Sequence, residues 1–165
     1  MPASRAELFE RFKSLGIETR TLDHAPVFTV EEAKHVHDDM PGGHCKNLFC
    51  KDEKGVLWLI VALEDAVINL KAVPAKIGSK RLTFGKPDLL MEVLGVEPGS
   101  VTPFGLINDK TNRTNVILDE AMMRETPLNY HPLQNDATTA ITPDDLLSFI
   151  KSCGHVPRIV AVSDA

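Results

Sequence analysis

One lysine breaks the otherwise uncharged run His44-Cys45-Lys46-Asn47-Leu48-Phe49, setting a cation beside an amide at the start of an expected strand. Such a lysine can hold a phosphate as a point charge, stabilise an oxyanion, or act as a base where burial lowers its pKa. It can equally be a strand lysine turned to solvent. Asn47 faces away from Lys46 in a regular strand, because side chains alternate. It then either satisfies a strand edge or positions a polar ligand. Farther on, Gly99-Ser100-Val101-Thr102-Pro103 joins two backbone-shaping residues to two hydroxyls. Glycine lets backbone approach a ligand closely, proline stiffens the exit, and exposed N–H groups there can bind a developing oxyanion without a catalytic side chain. The alternative is a plain Pro98-Gly99 turn. His131, held extended by Pro132, offers a substrate contact or an acid/base; the alternative is a packed histidine bonded to backbone. A cation and a Gly-bearing loop suit an anionic, carbonyl-bearing ligand. No G-x-S-x-G elbow and no P-loop accompanies them.

Other chemistries find less footing. Cys45, Cys50 and Cys153 are odd in number and form no C-x-x-C motif. Cys45 and Cys50 fall on opposite faces of a strand, so neither a disulfide nor a zinc pair is expected. His24, His35, His37, His44 and His155 lack the carboxylate or cysteine spacing of a metal site, and no metal or cofactor is expected. Asp144-Asp145 reads as the start of a helix, and Asp38-Asp39 and Glu64-Asp65 as exposed charges.

The elements that must position these residues are legible in part. Ser4-Arg5-Ala6-Glu7 and Thr29-Val30-Glu31-Glu32 are capping boxes, the first opening a helix that Gly16 ends and the second a short helix toward His37. Ile17–Leu22 alternates as a strand. Lys46–Cys50 and Val56–Leu63 read as a hairpin joined by Asp52-Glu53-Lys54-Gly55. Val67–Ile77 reads as helical despite Pro74, and Lys86-Pro87-Asp88 starts a helix that stops at Gly95. Val101–Ile107, Asn115–Leu118 and Arg158–Val162 read as strands, and Thr142-Pro143-Asp144-Asp145 as a strong helix start stopped by Gly154. Strands and helices alternate without a regular βαβ rhythm. The expected fold is therefore α+β or mixed α/β, a mixed sheet with helices around it, in one domain over residues 1–165.

Net charge is −5, which argues against a general duplex-binding protein. The charge is uneven: residues 46–86 carry eight Lys/Arg and four Asp/Glu, net +4, leaving −9 for the remainder. Such a local basic face can meet a few phosphates; it can also be an ordinary solvated surface. No apolar run approaches a membrane span, and the first residues lack the apolar core of a signal peptide, so a cytoplasmic protein with no membrane contact is expected.

Lys46-Asn47-Leu48-Phe49, the G-x-x-x-P loop from Gly99 to Pro103, Gly105-Leu106-Ile107-Asn108-Asp109 and His131-Pro132-Leu133-Gln134-Asn135 occur in an order that resembles the YbaK-type aminoacyl-tRNA editing family. That family includes the editing insertion of bacterial prolyl-tRNA synthetases. The likeness runs from about Leu8 to Val160, and is to its free-standing, ProX-type members, which deacylate Ala-tRNA(Pro). It implies a mostly antiparallel mixed sheet and a monomeric hydrolase acting on the acceptor end of tRNA(Pro), with transient contact with prolyl-tRNA synthetase. The family's essential lysine falls on Lys46, implying that it holds the terminal adenosine or its phosphate and polarises the ester. Substrate contacts are implied for Asn47, Gly99, Ser100, Val101, Thr102, Pro103 and His131, with Val30 as an apolar wall. Cys45 and Cys50 stand where threonine or alanine, and an aliphatic residue, are expected. A deacylase for Cys-tRNA(Pro) and a non-catalytic module that holds tRNA or a synthetase remain as alternatives.

Overall fold

The computed structural model describes residues 2–26 and 30–164, with residues 30–33 described by backbone alone. Helix α1 (Arg5–Ser14) opens on the full capping box: Glu7 N–H donates to Ser4 Oγ and Ser4 N–H to Glu7 Oε1, both at 3.2 Å. Its buried face is Leu8 and Phe12, one turn apart. Strand β1 (Arg20–Asp23) starts later than the alternation at Ile17 predicts, and helix α2 (Val30–Asp39) follows. The expected Thr29 hydroxyl cap and the Val30 side chain lie outside the described residues. Strands β2 (Gly43–Asp52) and β3 (Leu57–Leu63) form the expected hairpin. The Asp52 carboxylate closes it by accepting the N–H groups of Lys54 (2.9 Å) and Val56 (3.0 Å).

Then come α3 (Val73–Ile77), β4 (Leu82–Phe84), α4 (Pro87–Leu94), β5 (Thr114–Asp119), β6 (Leu128–Tyr130), β7 (Ala137–Ile141), α5 (Pro143–Ser152) and β8 (Arg158–Val160). Three 3₁₀ turns, Pro98–Ser100, Pro103–Asn108 and Met122–Arg124, lie between them.

Two expectations are corrected. The stretch Val67–Ile77 is helical only from Val73, because Pro74 starts the helix instead of interrupting one, and Gly78 ends it at φ 81°. Val101–Ile107 is no strand. Thr102 Oγ1 accepts the Phe104 N–H (3.2 Å), Pro103 occupies the first turn, and Pro103 to Leu106 are all buried in sequence. Continuous burial is what a core turn shows, where a half-buried strand would alternate. Ends differ elsewhere by up to three residues: β2 starts at Gly43, ahead of the expected Lys46, and β8 stops at Val160.

The eight strands form one mixed sheet in the order β1-β7-β6-β2-β3-β5-β8, with β4 pairing β2 off that path. Four ladders are antiparallel and three parallel. Strand β3 is apolar throughout because both its faces are covered. Leu57, Leu59 and Val61 join the main core with α1, α4 and α5, whereas Trp58 and Ile60 join a second core with α3. Strand β2 divides likewise: Phe49 belongs to the first and Cys50 to the second, and Cys45 packs against the first. The expected separation of Cys45 from Cys50 is thus observed.

Candidate functional site

Strand β2 has a full partner on one side and a broken one on the other. It pairs with β6 only at Gly43↔Leu128 and His44↔Asn129, and with β4 only from Cys50↔Phe84 onward. The bonds Glu64 N–H to His44 O and Asp52 N–H to Val56 O fix even-numbered residues as those bonded to β3. The odd-numbered residues therefore face β6 and β4; the parallel pairing at His44↔Asn129 takes up the Cys45 N–H, and the N–H and C=O of Asn47 point into the opening beyond it. Gly85 N–H, bonded to Phe49 O at 2.8 Å, closes its far end.

At this opening lies a cavity of about 130 Å³. Asn47 and Cys45 line it from β2, Asn129 and Tyr130 from β6, Thr138 from β7, and His131 from the segment after β6. His37, His44 and Glu64 also line it, and the half-exposed His37 and Glu64 form its rim, with His37 Nε2 3.2 Å from Glu64 Oε1.

His131 Nδ1 lies 3.0 Å from Ala137 O. A carbonyl only accepts, so Nδ1 carries the proton and Nε2 is a free lone pair in the neutral ring. Burial lowers the His131 pKa from its ordinary value, against a smaller upward pull from the Ala137 bond. His44 is held the same way. Its Nε2–H donates to Met40 O (2.7 Å), and burial is the main cause of its lowered pKa. Both rings are neutral acceptors near neutral pH.

Among the described residues no nucleophile is activated here. Burial pushes the Cys45 thiol up to about 12, and burial raises the Tyr130 phenol well above its usual value. Two amide oxygens, Asn47 Oδ1 and Asn129 Oδ1, are buried with no hydrogen-bond partner.

The expected site residues do not all meet. Asn47 and His131 share the cavity. Lys46 is on the other face of β2, half-buried, and its Nζ donates to Ala66 O in the turn after β3. The loop from Gly99 to Pro103 does not line this cavity. Ser100 lines a second, open one of about 350 Å³ with Leu133, Gln134 and Asn135. Gly99 stands next to Asn135: a Cβ there would meet Asn135 Nδ2 at 3.5 Å. Val101 packs on the main core, and Thr102 and Pro103 build the turn that buries Phe104. The segment His131–Asp136 connects the two cavities, with Leu133 at φ 71°, a strained value for a branched residue. Asn108 and Asp109 prove structural. Asn108 ties Ala3 N–H and Leu94 O together, and Asp109 accepts the N–H groups of Arg113 and Thr114.

Reading the sequence missed Asn129, Tyr130, Thr138 and Glu64. A three-residue strand such as β6 is too short to reveal a period of two. The one available signal was position, since Asn129-Tyr130 directly precedes the His131-Pro132 motif. Among the described residues no cluster of His, Cys, Asp or Glu is arranged to hold a metal ion, and no helix is long and apolar enough to cross a membrane.

This fold recurs in solved structures. One, described as a candidate trans-editing enzyme for prolyl tRNA synthetase, superposes with a TM-score of 0.73 at 18% identity and covers 100% of both chains. The hypothetical protein APE2540 superposes with a TM-score of 0.74 at 20% identity, over 98% of this chain and 100% of that one. Residues 24–149 match the aminoacyl-tRNA editing domain, and the chain belongs to that family. Its similarity to individual members runs nearly end to end. It is 37% identical over 161 residues to the prolyl-tRNA synthetase associated domain-containing protein 1 of Mus musculus, covering 94% of this chain and 95% of that protein. It is 34% identical over 161 residues to the prolyl-tRNA editing protein ProX of Acetoanaerobium sticklandii, covering 97% and 98%.

Proposed function

We propose that this protein hydrolyses the ester of alanine mischarged on tRNA(Pro), acting in trans on the acceptor end. The observation that carries the reading is the cavity at the open edge of β2, which combines the Asn47 N–H, left out of the β6 and β4 ladders, with a neutral His131 and, among the described residues, no activated nucleophile. Water is then the attacking group. His131 Nε2 accepts its proton as the water oxygen bonds to the ester carbonyl carbon. The carbonyl oxygen takes up negative charge facing the Asn47 N–H. The carbon–oxygen bond to the ribose breaks, and the proton passes to the ribose oxygen. The volume of about 130 Å³ fits a small acyl group. Size alone gives a synthetase only about 1–3 kcal/mol against a smaller amino acid, which is why a second, smaller site is useful.

Lys46 is assigned the cationic role, holding the terminal phosphate or adenosine and polarising the ester. To do so its Nζ must leave the Ala66 carbonyl. The Gly99–Pro103 loop acts at one remove, by packing beside Leu133–Asn135, the segment that carries His131. RNA is met along β4. Lys51, Lys54, Lys80, Arg81 and Lys86 are exposed there around Phe84, a ring 62% exposed and free to stack on a base. The protein is taken to act as a monomer. The work belongs in the cytoplasm, in transient contact with prolyl-tRNA synthetase.

Deacylation of Ala-, Cys- and Pro-tRNA(Pro) by the purified protein tests the reading. Rapid loss of alanine with proline spared supports it. Faster loss of cysteine moves the assignment to that substrate, and no hydrolysis of any of the three leaves a binding module.

A further inference from the structure

We infer that the cavity recognises a free α-ammonium group, so that the substrate must be an unblocked aminoacyl ester; this rests on the function proposed above. The argument is a count of protons. Asn129 is 3% exposed, and its Nδ2 donates to Pro41 O (3.3 Å) and Gly43 O (3.1 Å). Both partners are carbonyls, so the amide cannot be turned round, and its oxygen is left buried without a partner. Asn47 Oδ1 is buried and unpartnered on the facing strand.

Among the described residues, the neighbouring side chains have already given their protons elsewhere. His24 Nδ1 donates to Ala25 O (2.7 Å), so its Nε2 is a lone pair, and Thr138 gives its hydroxyl proton there (2.8 Å). Tyr130 donates to Met122 Sδ (3.3 Å), Cys45 to Gly43 O (3.8 Å) and His44 to Met40 O (2.7 Å). His131 Nε2 is itself an acceptor. His37 Nε2 lies 3.2 Å from Glu64 Oε1, and a carboxylate only accepts, so that proton is taken as well. Among the described side chains of the pocket what remains is acceptors, while the Asn47 backbone N–H is left for the ester carbonyl oxygen. The complementary group brings several protons and no lone pair, and an ammonium is that group. In an aminoacyl ester it sits one carbon from the carbonyl under attack. A hydroxyl in its place brings one proton and no charge, and an acylated amine is also neutral.

The test compares alanyl-tRNA(Pro) with lactyl-tRNA(Pro), in which a hydroxyl replaces the amine, under single-turnover conditions. A pH of about 6.5 keeps the amine protonated, since α-amino groups titrate near ~7.7–8.0. Each rate is divided by the uncatalysed hydrolysis of the same ester, because the ammonium also activates its own carbonyl. The wild type should accelerate alanyl ester hydrolysis at least about tenfold more than lactyl, the worth of a charge-assisted bond. Asn47→Leu should bring that ratio toward one by slowing the alanyl reaction alone. Asn129→Leu should do the same where it folds. A wild-type ratio near one overturns the inference while leaving the deacylase intact, as does an unchanged ratio in folded Asn47→Leu. Hydrolysis of neither ester sinks the proposed function, and the inference with it.

Discussion

The two faces of β2 treat adjacent polar residues in opposite ways. On one face the Lys46 ammonium lies by the second core and is bonded to the Ala66 carbonyl. On the other the Asn47 amide, uncharged, is left with a buried and unpartnered oxygen at a cavity. The residue with the formal charge has its partner within the fold, and the neutral residue does not. Unused hydrogen-bonding capacity in a buried place is costly to keep, and Asn47 and Asn129 bring it together at one cavity. Adjacency in a strand also guarantees separation in space. Lys46 and Asn47 can act on one substrate only if it reaches round the strand or if the lysine moves.

The largest expected effect is on the Asn47 face. His131→Leu removes the only neutral imidazole nitrogen assigned to the attacking water, and single-turnover deacylation of Ala-tRNA(Pro) should fall by about 100-fold or more. A fall of less than threefold, with the melting temperature unchanged, would make His131 a packed residue and return the comparison to the lysine face.

Lys46→Ala comes next, with a loss of about 10- to 100-fold if the ammonium leaves Ala66 to meet substrate. Lys46→Met separates the alternatives, since it keeps the aliphatic stem over the second core. Near-normal turnover in folded Lys46→Met would show that only one face of β2 does chemistry. A loss equal to that of His131→Leu would show that the two act together.

Acidification should switch off the same face. Burial lowers the pKa of His131 and His44 below the ordinary 6.5, so both are neutral above it. As pH falls through their folded-state values they bind protons that the fold disfavours, and both activity and stability are lost. The acid limb of the rate profile should therefore lie below pH 6.5, and in His131→Gln the catalytic part of that limb should vanish. A limb centred above 6.5 would contradict neutral, buried imidazoles.

Smaller effects are expected beyond the cavity. Binding of tRNA should weaken with salt at a slope set by about 2–4 phosphate contacts, and Lys86→Ala should lower that slope by roughly one contact. A slope unchanged by Lys86→Ala and Arg81→Ala would take the RNA off β4. The smallest effect belongs to Cys45→Ser. A thiol pushed up to about 12 is undissociated, so turnover should change by less than about threefold. Inactivation by Cys45→Ser and by a thiol-alkylating reagent together would force the non-covalent mechanism to be abandoned.

Local chemistry determined much of this protein by itself. The capping box at Ser4, the Asp52–Gly55 hairpin turn, the Pro87 start and Gly95 stop of α4, and the Thr142 cap of α5 each depend on a few consecutive residues, and each is seen. The alternation that parts Lys46 from Asn47 and Cys45 from Cys50 is local too. Tertiary structure decided what the alternation is for. Whether the edge of β2 is covered depends on β6, which pairs with it for two residues and then diverges. The bond from Asn129 to Gly43 that pins this junction spans 86 residues of chain. A pairing so remote leaves no periodicity in either segment. Only the assembled sheet shows where the backbone of β2 is left open and which residues with unpartnered oxygens line the cavity there.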